Sequence, residues 1–162
     1  MIPGFDLSRL NVHSPYTVWQ DGDALLFRTR YGILFAVEFD SETFIADAYW
    51  LNLYNRNHRN SPGDSDVRDT IICIIEEFFR AAPNIMLYMC ETGDERQSMR
   101  ARLFTRWFNN SDIGHRFVIK TAILKDENVD NYIAIIVEKA NPHCAEVIAS
   151  FEEQVKLFRE NK

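Results

Sequence analysis

The spacing of apolar residues changes near residue 65, and this change restricts the chain to folds that combine strands with helices. From Tyr16 to Tyr54 aromatic and β-branched residues dominate, and turn formers such as Asp21-Gly22 and Tyr31-Gly32 interrupt them at short intervals. Along 33–39 the side chains alternate, which is typical of a half-buried antiparallel strand. One face would carry Ile33, Phe35, Val37 and Phe39, and the other Leu34, Ala36 and Glu38. The strand-rich segment 14–54 therefore predicts a meander of about four strands.

A polar loop at 55–65 separates this meander from a segment with helical periodicity. The predicted helix begins after a cap at Ser65 and ends before Pro83, which cannot continue it. Its buried face would consist of Val67, Ile71, Ile74, Ile75 and Phe78, with Glu76, Glu77 and Arg80 away from that face.

Two further helices are expected. Thr92 and Glu95 have the spacing of a capping box, which predicts a helix over 95–108. Asn141 and Pro142 are typical of the cap and first position of a C-terminal helix. The apolar stripe of that helix would contain Cys144, Val147, Ile148, Phe151, Val155 and Phe158.

Three short apolar runs at 84–90, 116–124 and 131–139 have the length and composition of strands. The chain is therefore expected to be an α+β protein: a mostly antiparallel sheet with three helices packed on one face. At 162 residues one domain is expected over 1–162, with helix-strand-helix at 66–109 and a strand pair and C-terminal helix at 115–160.

Charge and composition exclude several functions. With 18 basic and 24 acidic residues the net charge is -6, which disfavours broad binding to nucleic acid or anionic membranes. No apolar run approaches the ~18 residues of a membrane span, and the N-terminal residues lack the pattern of a signal peptide. Cysteines 73, 90 and 144 are an odd number without metal-ligand or redox spacing, which favours a reducing, cytoplasmic compartment. Neither a cofactor nor a metal site is predicted, since no histidine has a second ligand at i+3 or i+4.

One heptapeptide has the residue spacing of a known catalytic loop. Cys90-Glu-Thr-Gly-Asp-Glu-Arg96 matches the C-x-x-G-x-x-R spacing of the cysteine-dependent phosphatase loop, between a predicted strand and a predicted helix. In that interpretation Cys90 is the nucleophile, Arg96 the oxyanion clamp and Asp94 the general acid. Three acidic residues in the loop would raise the pKa of the thiol and repel a phosphate, and the capping box explains the same residues structurally. We therefore favour the capping interpretation.

Arginines lie within the apolar face of the predicted helix 95–108. Arg96 and Arg100 fall inside its apolar arc, and Arg102 and Arg106 just outside. A guanidinium among core residues must pair with a carboxylate or reach water. The two alternatives are internal ion pairs and a pocket for an anion or a protein partner; the candidate carboxylates are Asp66, Asp69, Glu76 and Glu77.

Weak nucleic-acid binding through this helix is a third alternative. Arg102, Arg106 and Arg116, together with Lys120, would form a small basic patch. The helical spacing of Phe104, Trp107 and Phe108 favours core packing over base stacking, so nucleic acid is an improbable partner.

The order of motifs in the middle of the chain is similar to that of a bacterial family of small cytoplasmic proteins catalogued only as a domain of unknown function. The resemblance is carried by Thr70–Phe79, Leu87–Cys90, Asp94–Arg96 and Arg100–Phe108. It implies a shared fold and supplies no activity or catalytic residue.

These observations favour a non-enzymatic, cytoplasmic module that binds a protein partner or a small anion, with Arg96 and Arg100 as its candidate binding residues. The first alternative is a phosphatase-like enzyme using Cys90, Asp94 and Arg96. The second is the weak nucleic-acid binder. A homodimer through an unspecified face stays open.

Overall fold

The computed structural model describes residues 2–57, 62–91, 106, 110, 114–126 and 129–160. The described residues form three α-helices and seven mostly antiparallel strands, which confirms the α+β class. The helices are α1 (Leu7–His13), α2 (Ser65–Ala81) and α3 (Cys144–Glu160). The strands are β1 (Trp19–Asp21), β2 (Ala24–Arg28), β3 (Leu34–Ser41), β4 (Ala48–Asn55), β5 (Ile85–Glu91), β6 (Phe117–Asp126) and β7 (Val129–Glu138).

Backbone contacts group the chain into two compact units. The first comprises Met1–Ser41 and Tyr49–Asn84, and the second Glu42–Ala48 and Ile85–Lys162. The strands of the first unit follow the order β1-β2-β3-β4 with antiparallel neighbours, so the predicted meander is confirmed. The turn expected at Asp21-Gly22 is also present, because Asp21 pairs with Ala24 and Gly22 adopts the left-handed φ of 61° that its missing side chain permits.

The prediction of a half-buried strand is wrong at the centre of β3. Ala36 and Val37 lie on opposite faces of the strand, and both have no exposed surface. On the Val37 face α2 provides the cover, since the rings of Phe39 and Phe78 stack with centroids 4.4 Å apart. On the other face a small cluster of Ala24, Leu26 and Ala36 is buried, with Leu34 packed against it. The centre of the strand is therefore buried on both faces.

The N-terminus of α2 differs from the prediction by one residue. Asp64, and not Ser65, is the cap: its backbone is extended, and its carboxylate accepts a hydrogen bond from the Asp66 amide at 3.0 Å. Ser65 is the first helical residue. At the other end the Asn84 side chain donates to the Phe78 carbonyl at 2.9 Å and satisfies one of the last carbonyls of the helix.

The short helix α1 was not predicted from the sequence. Its seven residues bury only Leu10, so it has no apolar stripe for periodicity analysis to detect. Its cap is visible in the sequence as Asp6, whose carboxylate accepts from the Arg9 amide at 3.1 Å.

In the second unit the strands follow the order β5-β7-β6, and both pairs are antiparallel. β7 is central, and its residues Ile133–Val137 are buried on both faces. β6 is the edge of this group. His115 lies in a 3₁₀ turn formed by Gly114–Arg116, directly before β6.

The C-terminal helix begins two residues later than predicted. α3 starts at Cys144, because residues 142 and 143 form a turn in which the Asn141 side chain accepts from the His143 amide at 2.9 Å. Of the predicted stripe Val147 and Phe151 are buried, whereas Phe158 is 39% exposed. The predicted helix 95–108 lies outside the described residues, apart from Arg106.

Candidate protein-binding face

Most of the site residues expected from the sequence lie outside the described part of the chain. This applies to Gly93, Asp94, Arg96 and Arg100. Of Cys90 only the backbone is described; it pairs with Tyr132 near the end of β5, which matches the strand expected before the motif. The phosphatase-like and anion-pocket interpretations therefore stay predictions.

The predicted basic patch lies only partly within the described residues, and Arg102 is not among them. Arg106 is helical and exposed. Arg116 lies 5.7 Å from the centre of the Phe117 ring, an arrangement typical of a cation–π contact.

The four carboxylates considered as partners of Arg96 and Arg100 have partners among the described arginines. Asp66 pairs with Arg30, and Asp69 with Arg68 at 3.1 Å. Arg80 contacts Glu76 at 3.2 Å and Glu77 at 3.0 Å. These contacts explain the acidic residues of α2 as parts of structural ion pairs.

The prediction that Glu77 points away from the core is wrong. Its side chain is 1% exposed and accepts hydrogen bonds from Arg9 on α1 and from Arg80 one turn along α2. A buried carboxylate requires such compensation, and both arginines keep nearly half of their surface in water. The group is saturated by its partners and ties α1 to α2.

A second polar cluster joins the strands of the first unit to the start of α2. The Tyr16 hydroxyl donates to the Asp64 carboxylate at 2.5 Å and accepts from Arg30 Nε at 3.0 Å. This hydroxyl donor, and to a lesser extent the Asp66 amide and the Arg30 charge, hold the pKa of Asp64 below its usual range against the effect of burial. The cluster anchors a helix cap.

The described residues can be compared with two kinds of chemical centre, a metal site and a reactive thiol. Within that part of the chain no three His, Cys, Asp or Glu side chains are placed to hold a metal ion. Cys73 is a free thiol on α2 whose pKa is raised by burial and by the neighbouring Glu76 and Asp69 carboxylates. A raised pKa is the opposite of what a nucleophilic cysteine needs.

A groove of about 440 Å³ lies between β6 and α3. Its cationic lining residues are Lys120, Lys156 and Arg159, and its carboxylates are Glu152 and Glu160. The carboxylates weaken any anion site there, and Lys156 lies 3.9 Å from Glu160.

The meander of the first unit has two faces of different character. The covered face packs against α2 through Phe39 and Tyr49, both in contact with Phe78. We use the term open face for the opposite side of these strands, which is defined by the cross-strand pairs; side chains at its rim are exposed, and those at its centre are buried. Its members are Trp19, Asp21, Ala24, Leu26, Arg28, Leu34, Ala36, Glu38, Asp40, Trp50, Asn52 and Tyr54.

Two aromatic side chains are exposed on the open face. Trp19 is opposite Leu26 and is 40% exposed, and Tyr54 is opposite Ala36 and is 39% exposed. Both therefore adjoin the buried cluster of Ala24, Leu26 and Ala36. Exposed aromatic side chains are a residue type that protein interfaces favour, whereas the cluster beside them is itself buried.

Hydrogen bonds hold the polar side chains of the open face in place. The Tyr54 hydroxyl donates to Glu38 Oε1 at 2.7 Å, and Asn52 Nδ2 donates to Asp40 Oδ2 at 2.5 Å. Arg28 Nη1 donates to the Gly32 carbonyl at 3.2 Å. Because these side chains are already held in one orientation, less of their conformational entropy is lost when a partner binds.

The sequence analysis did not select Trp19 or Tyr54, although a signal was available. In β4 the sequence Trp50-Leu-Asn-Leu-Tyr54 alternates two leucines with aromatic and polar residues. This pattern indicates one buried face and one amphipathic face, which the aromatic richness of the segment obscured.

Comparisons with known proteins identify a family and no activity. The model of a family described as "Family of unknown function (DUF6169)" matches residues 63–153. Neither the curated proteins nor the solved structures gave a match. Among the described residues no helix has the length and apolar character needed to cross a bilayer.

Proposed function

This chain belongs to the DUF6169 family of unknown function, and we propose that it is a non-enzymatic protein-binding module whose open face docks a basic, partly apolar segment of another protein. The observation that carries the proposal is the exposed pair Trp19 and Tyr54 beside a buried apolar cluster. Aromatic residues at such positions provide large contact areas with few rotatable bonds.

The charge of the open face specifies the partner. Its carboxylates are Asp21, Glu38 and Asp40, and its guanidinium groups are Arg28 and, over the Tyr54 ring, Arg56. Complementary potentials steer association and exclude partners of the same sign. A segment with lysine or arginine beside apolar side chains fits this face.

The rings of the open face also suit a cationic partner. Arg56 lies 6.0 Å from the centre of the Tyr54 ring, so the chain itself places a guanidinium against this ring. A partner's arginine would find the same kind of contact at Trp19, the stronger aromatic acceptor for a cation.

The alternative partners are less compatible with these residues. A small anion or a nucleic acid would approach three carboxylates, and the net charge of the whole chain is -6. The anion pocket at Arg96 and Arg100 and the enzyme using Cys90 are tested separately. A Cys90 thiol that reacts with iodoacetamide well below pH 8 and is protected by inorganic phosphate would support the enzyme; a normally titrating thiol would leave Cys90 a packing residue.

The binding proposal is tested with two sets of synthetic peptides that share apolar residues but carry either Lys and Arg or Asp and Glu. Nuclear magnetic resonance of the ¹⁵N-labelled chain should show the Trp19 indole and the Tyr54 amide shifting with the basic set. Trp19→Ala and Tyr54→Ala should each weaken binding about tenfold or more, as losses at interface aromatics do.

Tyr31→Ala is the matched control, because Tyr31 is exposed in the turn between β2 and β3 and is not a member of the open face. Asp21→Asn combined with Asp40→Asn should reduce both the affinity and its dependence on salt. Preference for the acidic set, or shifts confined to other surfaces, would refute the proposal.

We also propose that the protein works in a reducing, cytoplasmic compartment of a bacterium. The order of motifs that resembles a family of small bacterial proteins and the odd number of cysteines support this location, and Cys73 and Cys144 are free thiols.

A further inference from the structure

Among the described residues of the second unit, β6 is a long edge strand. β6 has ten residues and pairs with β7 along one side. No other strand within the described residues pairs with its second side. The edge of the first unit, β1, has three residues. A long edge presents a row of polar backbone groups that template pairing with another strand, whereas a short one does not.

The hydrogen bonds around β6 show which of its backbone N–H and C=O groups point away from β7. The Arg116 carbonyl accepts from the Lys139 amide at 2.8 Å, so even-numbered residues direct their polar groups towards β7. Odd-numbered residues therefore direct theirs away. Arg159 on α3 confirms this parity, because its Nη2 donates to the Ile123 carbonyl at 2.9 Å from the outer side.

The sequence of β6 is complementary to itself when a second copy runs antiparallel about Thr121. In that register Ile119 lies opposite Ile123, Val118 opposite Leu124, and Lys120 opposite Ala122 of the other copy. Apolar side chains meet on both faces, and no lysine opposes a lysine. Centring the pair on Lys120 would place two ammonium groups opposite each other.

We propose that two copies of this chain associate through β6 in an antiparallel pair centred on Thr121, which extends the β5-β7-β6 sheet across a two-fold axis. Thr121 is exposed, and its outward N–H and C=O would bond to the same residue of the second copy. The Ile119 amide would donate to the Ile123 carbonyl, which has a second lone pair beside the one that Arg159 uses.

Exposed apolar side chains accompany this edge. Ile123 is 41% exposed, and Leu157, two residues before Arg159 on α3, is 46% exposed. A two-fold axis perpendicular to the sheet brings both copies of α3 to the same side. β6 lacks proline and a bulge, two of the devices that prevent edge pairing, and its lysines at 120 and 125 do not oppose each other in this register. The proposal concerns the second unit and does not depend on the open face.

The first test is the mass of the full-length chain by sedimentation velocity over a concentration series. We expect a monomer–dimer equilibrium. Thr121→Pro removes the central outward N–H of each copy and should raise the dissociation constant about 30-fold, the loss expected for two hydrogen bonds. Thr121→Val retains both backbone groups and should leave the constant nearly unchanged. A monomer at every concentration, or equal constants for both variants, overturns the proposal.

Cross-linking tests the register and does not require the proline variant to fold. Opposed residues in a hydrogen-bonded pair have Cα atoms about 5.5 Å apart, within the range of a disulfide. Thr121→Cys should therefore form a covalent dimer on mild oxidation. Lys120 lies opposite Ala122 in this register, so Lys120→Cys should form no more covalent dimer than the wild-type chain. The wild-type chain controls for cross-links through the native cysteines. Equal cross-linking of the two variants would refute the register and with it the proposal.

Discussion

The covered and open faces of the first unit are built from alternate residues of the same strands, yet they have opposite chemistry. On the covered face aromatic rings stack, as Phe27 does on Phe35 at 5.4 Å and Phe39 on Phe78 at 4.4 Å. On the open face Trp19 and Tyr54 retain about two fifths of their surface. If the open face binds a partner as proposed, stability and binding are separable by residue parity: substitutions on the covered face should destabilise the protein, and those on the open face should weaken binding.

The largest effect is expected at the centre of the covered face. Phe78 is fully buried and touches Phe39, Tyr49 and Phe79. Phe78→Ala should lower the free energy of unfolding by about 3–5 kcal/mol, because it removes apolar contact and leaves a cavity. Urea denaturation measures this loss. A loss below about 1 kcal/mol would show that α2 does not depend on this contact.

The next largest effect is expected at the buried carboxylate beside it. Glu77→Ala removes the partner of Arg9 and Arg80, and the loss of charged hydrogen bonds should cost about 2 kcal/mol. The cost stays moderate because both arginines already reach water. Glu76→Ala on the same helix is the control: this more exposed pair should contribute under about 1 kcal/mol. Equal losses for the two variants would contradict the structural role of Glu77.

The cap of α2 should make stability depend on pH. The Tyr16 hydroxyl lowers the pKa of Asp64 from its ordinary value of 3.8, so the unfolded chain takes up this proton first as the pH falls. The stabilisation is therefore complete above that value and is lost as the pH falls through the lower folded-state pKa. Asp64→Ala should cost about 1 kcal/mol at pH 7 and flatten the acid limb of the stability profile. Tyr16→Phe should also flatten the acid limb. If the stability profiles of both variants fall with pH as steeply as that of the wild type, the Tyr16–Asp64 hydrogen bond is not the source of the pH dependence.

The smallest effect on stability is expected on the open face. Trp19→Ala should change the free energy of unfolding by under about 1 kcal/mol, since the side chain is substantially exposed. Its effect should be on binding to the basic peptides. If thermal melting shows a loss as large as that of Phe78→Ala, the distinction between the two faces fails.

The sequence predicted the elements well where periodicity was long. The four-strand meander, α2 and the β6–β7 pair were all expected, because each repeats its pattern over many residues. The misplaced Glu77 shows the limit of this method. A helical projection assigns a charge to solvent, and only the tertiary contact with Arg9, 68 residues earlier, makes its burial acceptable.

The site was harder to predict than the fold. Cys90 and Arg96 were selected by motif spacing and Arg100 by its position in a helical projection, whereas Trp19 and Tyr54 belong to no motif. They become neighbours of one apolar cluster only through the registers of β1 with β2 and of β3 with β4. A residue's exposure depends on what covers its face of the sheet, and strand alternation alone does not specify this.

The central position of β7 has a consequence for the order in which the second unit folds. β6 and β7 pair through a two-residue connection, since Asp126 is opposite Val129, so their ladder closes almost no loop. β5 pairs with β7 from about forty residues earlier in the chain and must wait for it during synthesis. We expect pulsed hydrogen exchange to protect the β6 and β7 amides before those of β5, with Met86 and Leu87 exposed to chaperones in the interval.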